Sequence, residues 1–225
     1  MYAAATGMAA QQQSLDVIAD NLANADVAGF KSAQATFAAI GGNAQLGTAS
    51  TGVHSIFAQG KLMKSGGPFD LAIDGAGFFT VERDGRLGFT RAGSFSRRAD
   101  GALETPDGWK LRGLRLPSDA QSARVDADGR VAVVDGGRAA RPVGRVGLVT
   151  FDAPEKLRPA GSAVFAQTQE SGRPRPLSAG GDGQPNIAFG MLEKSNVSIV
   201  ESMMAILGAQ RAYEANSKGV HINLQ

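Results

Sequence analysis

The sequence predicts an α+β fold, mainly β, in which two terminal helices form a discontinuous coiled-coil layer and a small all-β domain is inserted between them. Three observations support this prediction. Apolar residues recur at helical spacing near both ends of the chain, the apolar period changes to two in the middle, and Asp-Gly pairs punctuate that middle stretch. A seven-residue repeat is typical of helices that pack on another helix, whereas alternation is typical of half-buried strands.

The first predicted element is a helix of about residues 2–25, within an N-terminal segment of residues 1–35. Ala is frequent in this stretch, and apolar residues recur every seven positions with others between them. Such a narrow seam favours contact with a partner helix. Gly29 can adopt the left-handed conformation that ends many helices, so we place the stop between Asn24 and Gly29. The predicted interface residues of this helix are Met8, Leu15, Ile18 and Leu22.

Residues 36–67 are predicted to be an extended linker of low complexity. From Gly41 onward this segment is rich in Gly, Ala, Ser and Thr and poor in large apolar residues. A segment of that composition buries little apolar surface, so we expect it to fold poorly by itself.

The middle stretch, residues 68–170, is predicted to be an all-β domain of short strands. Alternating apolar residues flank Asp84-Gly85, which is a strong hairpin signal because both residues tolerate the left-handed backbone of a tight turn. The same pair recurs at Asp100-Gly101, Asp107-Gly108 and Asp128-Gly129. We therefore expect several antiparallel strands joined by tight turns.

Residues 171–189 contain several Pro and Gly residues and are predicted to be a second linker, before a C-terminal helical segment of residues 190–225. The helix itself is expected from about Leu192 to about His221, with Ser195 or Asn196 as its N-cap. Its spacing alternates four and three residues. The predicted interface residues of this helix are Leu192, Ile199, Met203, Ile206, Gln210, Tyr213 and Val220.

The seam of the C-terminal helix contains polar members such as Gln210. A polar seam position weakens a coiled coil but selects register and partner. This pattern is consistent with contacts to other copies of the chain. It is equally consistent with a private intramolecular helix pair, so the pattern alone leaves both interpretations open.

Composition argues against several classes of function. The net charge is +2 with acids and bases interspersed, and no clustered basic patch indicates nucleic-acid binding. The sequence contains no cysteine, and its two histidines, His54 and His221, have no metal-ligand spacing. We predict no catalytic residue, no cofactor, no metal and no small-molecule substrate. No apolar run is long enough to span a bilayer. No Lys or Arg precedes Lys31, so the basic region with which a secretory signal begins is missing. If the protein is exported, we therefore expect export without a cleaved signal peptide.

Four linked motifs resemble the rod and hook proteins of the bacterial flagellum. The first is Asp16-Val17-Ile18-Ala19-Asp20-Asn21-Leu22-Ala23-Asn24 followed by Gly29-Phe30-Lys31. The second is Leu71-Ala72-Ile73-Asp74-Gly75-Ala76-Gly77-Phe78-Phe79. The third joins Thr90-Arg91-Ala92-Gly93-Ser94-Phe95 to Asp100-Gly101-Ala102-Leu103. The last joins Leu192-Glu193-Lys194-Ser195-Asn196-Val197 to Gln210-Arg211-Ala212-Tyr213-Glu214-Ala215-Asn216-Ser217-Lys218.

The resemblance implies a non-catalytic axial subunit of the basal-body rod, which passes torque from motor to hook and encloses the export channel. The late run is most similar to distal-rod members; proximal-rod members are the alternative, followed by hook subunits. Implied partners are other copies of the chain, neighbouring rod and hook proteins and the flagellar type III export apparatus. The implied location is the periplasmic rod, which crosses the cell wall. A secreted adhesion module and a wall-cutting enzyme are alternatives from other classes.

The motif residues are also expected to have local structural roles. Asn21 and Asn24 are predicted to end the first helix with Gly29, because Asn tolerates the left-handed region. The run from Asp74 to Gly77 lacks the third Gly and the Lys of nucleotide loops, which argues against phosphate binding. The motif residues expected to matter are Asn21, Leu22, Ala23, Asn24, Gly29, Phe30, Asp74, Gly75, Gly77, Phe78, Ser195, Asn196 and Val197.

Overall fold

Two units make up the chain in the computed structural model, which describes residues 2–42, 45–117, 120, 123–133, 140–161 and 163–222. The first unit contains the segment that ends at Ala25, Lys31–Phe57, and the segment that begins at Val197. The second unit contains Asp26–Phe30 and Ala58–Asn196. Each unit therefore combines segments that are distant in the sequence. The predicted α+β class, mainly β, is confirmed.

Two long helices, α1 (Tyr2–Ala23) and α2 (Ile199–Ile222), pack against each other in the first unit. The end of α1 lies within two residues of its predicted position. The structure describes the side chains of α2 as far as Ala215. The first unit therefore pairs the two ends of the chain, as the apolar seams predict.

The predicted start of the C-terminal helix at Leu192 is wrong. Leu192 lies in a strand, and α2 begins at Ile199. The Ser198 hydroxyl accepts a hydrogen bond from the Glu201 amide at 3.3 Å, so Ser198 is the N-cap where Ser195 or Asn196 was expected. The spacing from Leu192 to Asn196 fits a helix by coincidence, because Leu192 instead pairs with Met63 across an antiparallel ladder.

A long hairpin completes the first unit, in the region where the sequence predicts an extended linker. It consists of β1 (Ala33–Gly42) and β2 (Gln45–Ser55), which pair along their whole length with a register shift after Thr36. Small side chains do not prevent this, because a ladder is held by backbone groups that every non-proline residue carries. The hairpin packs along α1, where the Thr6 hydroxyl accepts a hydrogen bond from the Thr48 amide at 3.2 Å.

Short strands dominate the second unit, as predicted for residues 68–170. A 3-10 helix, Pro154–Lys156, lies between the strands Leu148–Thr150 and Arg158–Pro159. The strands are β3 (Leu62–Lys64), β4 (Leu71–Asp74), β5 (Phe78–Arg83), β6 (Arg86–Thr90), β7 (Ser96–Arg97), β8 (Ala102–Glu104), β9 (Lys110–Arg115), β10 (Ala123–Val125), β11 (Arg130–Val133), β12 (Arg141–Arg145), β13 (Leu148–Thr150), β14 (Arg158–Pro159), β15 (Val164–Ala166), β16 (Arg175–Leu177), β17 (Asn186–Phe189) and β18 (Met191–Glu193).

The largest sheet of the described residues runs in the order β14-β15-β6-β5-β9-β8-β7, with β13 paired to β5 and β16 paired to β13. Strands β5 and β6 form the predicted hairpin around Asp84-Gly85, whose φ angles of 52° and 73° are both left-handed. A second sheet joins β10, β11 and β12, while β4 pairs with β17 and β3 pairs with β18.

The predicted linker of residues 171–189 is also partly wrong. Strand β16 pairs with β13, and β17 pairs with β4 in four residue pairs from Asn186↔Asp74 to Phe189↔Leu71. Gly180, Gly181 and Gly183 lie in the turn between β16 and β17. Pro176 can take part because it lies in β16, a strand at the edge of the sheet.

The core of the second unit is a continuous apolar cluster contributed by most of its strands. Seven of its side chains are at most 1% exposed: Leu71, Ile73, Phe79, Val81, Val131, Val133 and Val146. Phe79 also packs edge to face on Phe95, with ring centroids 5.8 Å apart. Trp109 is buried at 4% exposure, as expected of a core residue. This core explains how a chain with few aromatic residues stabilises many short strands.

Candidate assembly surface and its supporting network

A broad apolar face of α2 is exposed to solvent. Val200 and Met204 are 69% and 68% exposed, and Leu207 is 57% exposed. Ile199 and Met203 flank them and are also exposed. The spacing of Val200, Met204 and Leu207 places these side chains on one side of the helix. Large exposed apolar patches are typical of interaction surfaces, so this face is a candidate for one.

A second stripe of α2 is turned away from solvent. Ala209 is buried, and Ser202, Ile206 and Ala212 are half-buried. The helix thus carries two faces on opposite sides, one covered within the chain and one uncovered. The seam predicted from the sequence runs between them, because it combines exposed Met203 with half-buried Ile206.

The predicted interface residues are distributed over several environments. Met8, Leu15, Ile18 and Leu22 are half-buried on α1. On α2, Ile199, Met203, Gln210 and Tyr213 are exposed. Leu192 is half-buried in β18, outside either helix, and the side chain of Val220 lies outside the described part. Val200, Met204 and Leu207 are absent from the predicted interface residues. Their spacing of four and three residues does, however, predict a common apolar face on a helix.

Asn21 fastens the end of α1 to the start of β1. Its side-chain amide donates to the Ala33 carbonyl and accepts from the Ala33 amide, both at 2.7 Å. The Asn24 side chain donates to the Asp20 carbonyl at 2.8 Å. Neither asparagine has a positive φ. Asn21 and Asn24 therefore lie at the C-terminal end of α1, where they act through their side-chain amides and not through a left-handed backbone. Leu22 is half-buried beside Asn21, whereas Ala23 is exposed.

Gly29 is the motif residue that adopts the predicted left-handed conformation, with φ of 71°. A Cβ at this position would lie 2.2 Å from the Ala92 nitrogen. The Gly29 amide donates to the Glu193 carbonyl at 2.8 Å, and the adjacent Phe30 is half-buried. Only glycine fits here, because both the backbone angle and the close approach of Ala92 exclude a side chain.

A buried ion pair between Arg91 and Glu193 lies at the centre of the second unit's motif residues. Arg91 Nε is 2.7 Å from Glu193 Oε2, and the two side chains are 3% and 0% exposed. The other carboxylate oxygen, Oε1, accepts from the Gly60 amide at 2.8 Å. A buried charge is tolerated when it is paired and hydrogen-bonded, and both conditions are met.

The motif loop from Asp74 to Phe78 wraps around this arginine. Arg91 donates to the Gly77 carbonyl at 2.9 Å, to the Gly75 carbonyl at 3.0 Å and to the Ile73 carbonyl at 3.2 Å. The φ angles of Gly75 and Gly77 are 113° and 122°. The carbonyl oxygens of the loop therefore surround the positively charged guanidinium group of Arg91.

The remaining motif residues have structural positions around the same network. Asp74 is exposed, and Phe78 is buried edge to face on Phe151 with centroids 5.9 Å apart. Asn196 donates from its side chain to the Ala58 carbonyl at 3.2 Å. Ser195, Asn196 and Val197 are all half-buried in the segment before α2.

Asp126 and Asp128, in the second unit, make local hydrogen bonds and ion pairs beside the turn between β10 and β11. The Arg130 amide donates to the Asp128 carboxylate, and this hydrogen bond, followed by the charges of Arg130 and Arg145, lowers the pKa of Asp128. Asp126 pairs with Arg124 at 3.2 Å. Among the described residues, no cluster of three metal-ligating side chains occurs, and no helix is long and apolar enough to cross a membrane.

Comparisons with protein families match three parts of the chain. Residues 1–31 match the flagella basal body rod protein family. Residues 72–133 match the D1 domain of the flagellar hook proteins FlgE, FlgF and FlgG. Residues 189–222 match the C-terminal domain of the basal body rod proteins FlgE, FlgF and FlgG. The matched parts contain α1, the Arg91 network and α2.

Similar proteins extend over nearly the whole chain. The flagellar basal-body rod protein FlgG of Agrobacterium fabrum is 36% identical, covering 96% of this chain and 91% of its own length. FlgG of Bacillus subtilis is 32% identical, covering 97% and 92%. The flagellar basal-body rod protein FlgF of Caulobacter vibrioides is 33% identical, covering 92% and 86%.

Proposed function

The chain belongs to the flagellar basal-body rod protein family, and from this premise we propose that it is a structural subunit of the distal rod. The observation that carries the proposal is the alignment with FlgG proteins of several bacteria over nearly their full length. In this role the protein assembles into a shaft that transmits torque from the motor to the hook and encloses the export channel.

The exposed apolar face of α2 supports assembly through the terminal helices. Burying a Leu or Met side chain contributes about 1.5–3 kcal/mol relative to leaving it exposed. Val200, Met203, Met204 and Leu207 together offer enough apolar surface to stabilise contacts with neighbouring subunits. The occupant we propose for this face is the terminal helices of other copies, with neighbouring rod and hook proteins at the ends of the stack.

The proposed role is mechanical and involves no catalysis. Export through the flagellar type III apparatus would deliver the subunit to the periplasmic part of the basal body. The composition and the described side chains suggest a framework in which the polar motif residues hold backbone segments together. Asn21 and Arg91 illustrate this, because each bonds to main-chain groups of another segment.

A proximal-rod position is the second candidate. The similarity to a FlgF protein, at 33% identity over 92% of this chain, favours it specifically. Hook subunits share the matched D1 family.

Deletion of the gene, followed by electron microscopy of isolated basal bodies, distinguishes these positions. We expect rods that stop before their distal part and carry no hook, restored by the wild-type gene. Loss of the rod nearer the motor would instead assign the proximal position. Basal bodies of full length without the gene would overturn the proposed function.

A further inference from the structure

The segments of the second unit begin and end close to Glu193. The Gly29 amide donates to the Glu193 carbonyl at 2.8 Å, and the Lys194 amide donates to the Lys61 carbonyl at 2.9 Å. The Asn196 side chain donates to the Ala58 carbonyl at 3.2 Å. Any force that reaches the unit through its own chain therefore enters beside this residue.

The backbone ladder at this place is poorly arranged to resist such force. Strands β3 and β18 are antiparallel, with Glu193 opposite Leu62 and Met191 opposite Lys64. Pulling residues 58 and 196 apart opens the ladder from one end. Ladder hydrogen bonds lie perpendicular to antiparallel strands, so they would break one after another instead of sharing the force.

The Glu193 side chain adds bonds of a different kind at the end that opens first. Its two oxygens accept from the Gly60 amide and from Arg91 Nε, and Arg91 is in turn bonded to the carbonyls of Ile73, Gly75 and Gly77. To separate β3 from β18 past Glu193, the force must break these hydrogen bonds and leave a buried charge without its partner. Charge-assisted hydrogen bonds are about twice as strong as neutral ones, and burial removes water as a competitor.

We propose that the Arg91–Glu193 pair is a mechanical latch that keeps the second unit closed when force acts through its chain ends. The proposal rests on the proposed function as a torque-transmitting subunit, because a static protein would need no such reinforcement. In this proposal, Glu193 and Arg91 hold the backbone segments at the ends of the unit in place while force acts. Their role is distinct from subunit contact, since both side chains are buried in the isolated chain.

Single-molecule pulling on the full chain tests the latch directly. The sequence contains no cysteine, so Ala58→Cys with Asn196→Cys provides two unique attachment points. Complete opening between these points releases about 50 nm of chain at ~3.6 Å per residue, which identifies the event. The lifetime of the unit at constant force is compared among the otherwise wild-type chain, Glu193→Gln and Val133→Ala. The last is the matched control, because Val133 is buried in the same unit but lies outside the network.

We expect Glu193→Gln to shorten the lifetime at constant force by at least about tenfold, equivalent to ~1.4 kcal/mol. Val133→Ala should lower the melting temperature while leaving that lifetime nearly unchanged. Equal lifetimes for Glu193→Gln and wild type, or equal losses in both variants, would overturn the proposal. If Glu193→Gln fails to fold, Arg91→Lys serves instead, because it keeps the charge but loses the planar fork. A wild-type lifetime in Arg91→Lys would likewise overturn it. A negative result would leave the gene-deletion test of rod function unaffected.

Discussion

At the scale of single residues, the family motifs of this chain are explained by contacts with the backbone. The Asn21 side chain makes both hydrogen bonds that a neighbouring strand would make to the Ala33 backbone. Arg91 donates hydrogen bonds to the carbonyls of Gly75 and Gly77. Gly29 is required because its neighbour Ala92 leaves no room. We therefore interpret these residues as the ones that hold separate backbone segments of the fold together.

Gly29→Ala should destabilise the protein far more than Gly85→Ala. The two glycines have nearly equal φ angles, 71° and 73°. A left-handed alanine costs about 1–2 kcal/mol at either position. At Gly29 the new Cβ would also overlap backbone atoms of Ala92, whereas at Gly85 it meets nothing within 4 Å. Overpacking of this kind adds about 1–3 kcal/mol or more.

Thermal unfolding of both variants checks this prediction. A melting temperature well below wild type is expected for Gly29→Ala, with a much smaller decrease for Gly85→Ala. Similar decreases in the two variants would show that the close approach of Ala92 does not restrict residue 29.

At the scale of elements, α2 carries the feature most relevant to assembly. One stripe of the helix, which includes Ile206 and Ala209, is at least half-buried within the chain. The opposite face, which includes Met204 and Leu207, is exposed although it is apolar. A helix with a wide apolar surface is stable in water when a partner covers the remaining face.

Leu207→Asp and Ile206→Asp should both prevent assembly, but for different reasons. Leu207→Asp places a charge on the exposed face and should leave the helical content of the monomer unchanged. Ile206→Asp should also loosen the packing of α2 in the monomer, because a half-buried charge is costly. The second unit should stay folded in both variants, since its core does not include α2.

Circular dichroism of the monomer and a motility assay with basal-body imaging measure the two effects. Ala205→Asp is the matched control, because Ala205 is exposed and two residues turn a helix by about 200°. We expect near-normal rods with the control. Normal rods with Leu207→Asp would refute the assignment of the exposed face.

Local signals in the sequence predict much of the fold. The Asp84-Gly85 hairpin could be predicted because its turn chemistry is confined to adjacent residues. The hairpin of β1 and β2 could not, since its ladder depends on backbone groups and its side chains are small. The start of α2 was misplaced because Leu192 mimics helical spacing while its strand partner, Met63, is distant in sequence.

The same distinction applies to the candidate site. The spacing of apolar residues predicts the seam of α2. It does not predict which face of the helix is covered, because that depends on how α2 packs against the rest of the first unit. The Arg91–Glu193 pair joins residues that are 102 positions apart. Both residues lie inside the family motifs, but no local pattern indicates that they are in contact.

At the scale of the whole molecule, each unit is assembled from segments distant in the sequence. The first unit unites the two ends of the chain and presents the exposed face of α2. The second unit is a β framework closed around a buried ion pair. Under the proposed function, the first unit would make the contacts between copies and the second unit would supply rigidity to the shaft.

Chemical labelling of Met204→Cys, in the monomer and in assembled rods, tests the central claim most directly. The natural chain has no cysteine, so the introduced thiol is the sole target for a maleimide probe in this protein. Met204 is 68% exposed in the isolated chain, and we therefore predict rapid labelling of the monomer. In assembled rods the same position should be protected, because neighbouring subunits cover the helix face. Equally rapid labelling in both states would contradict assembly through this face of α2.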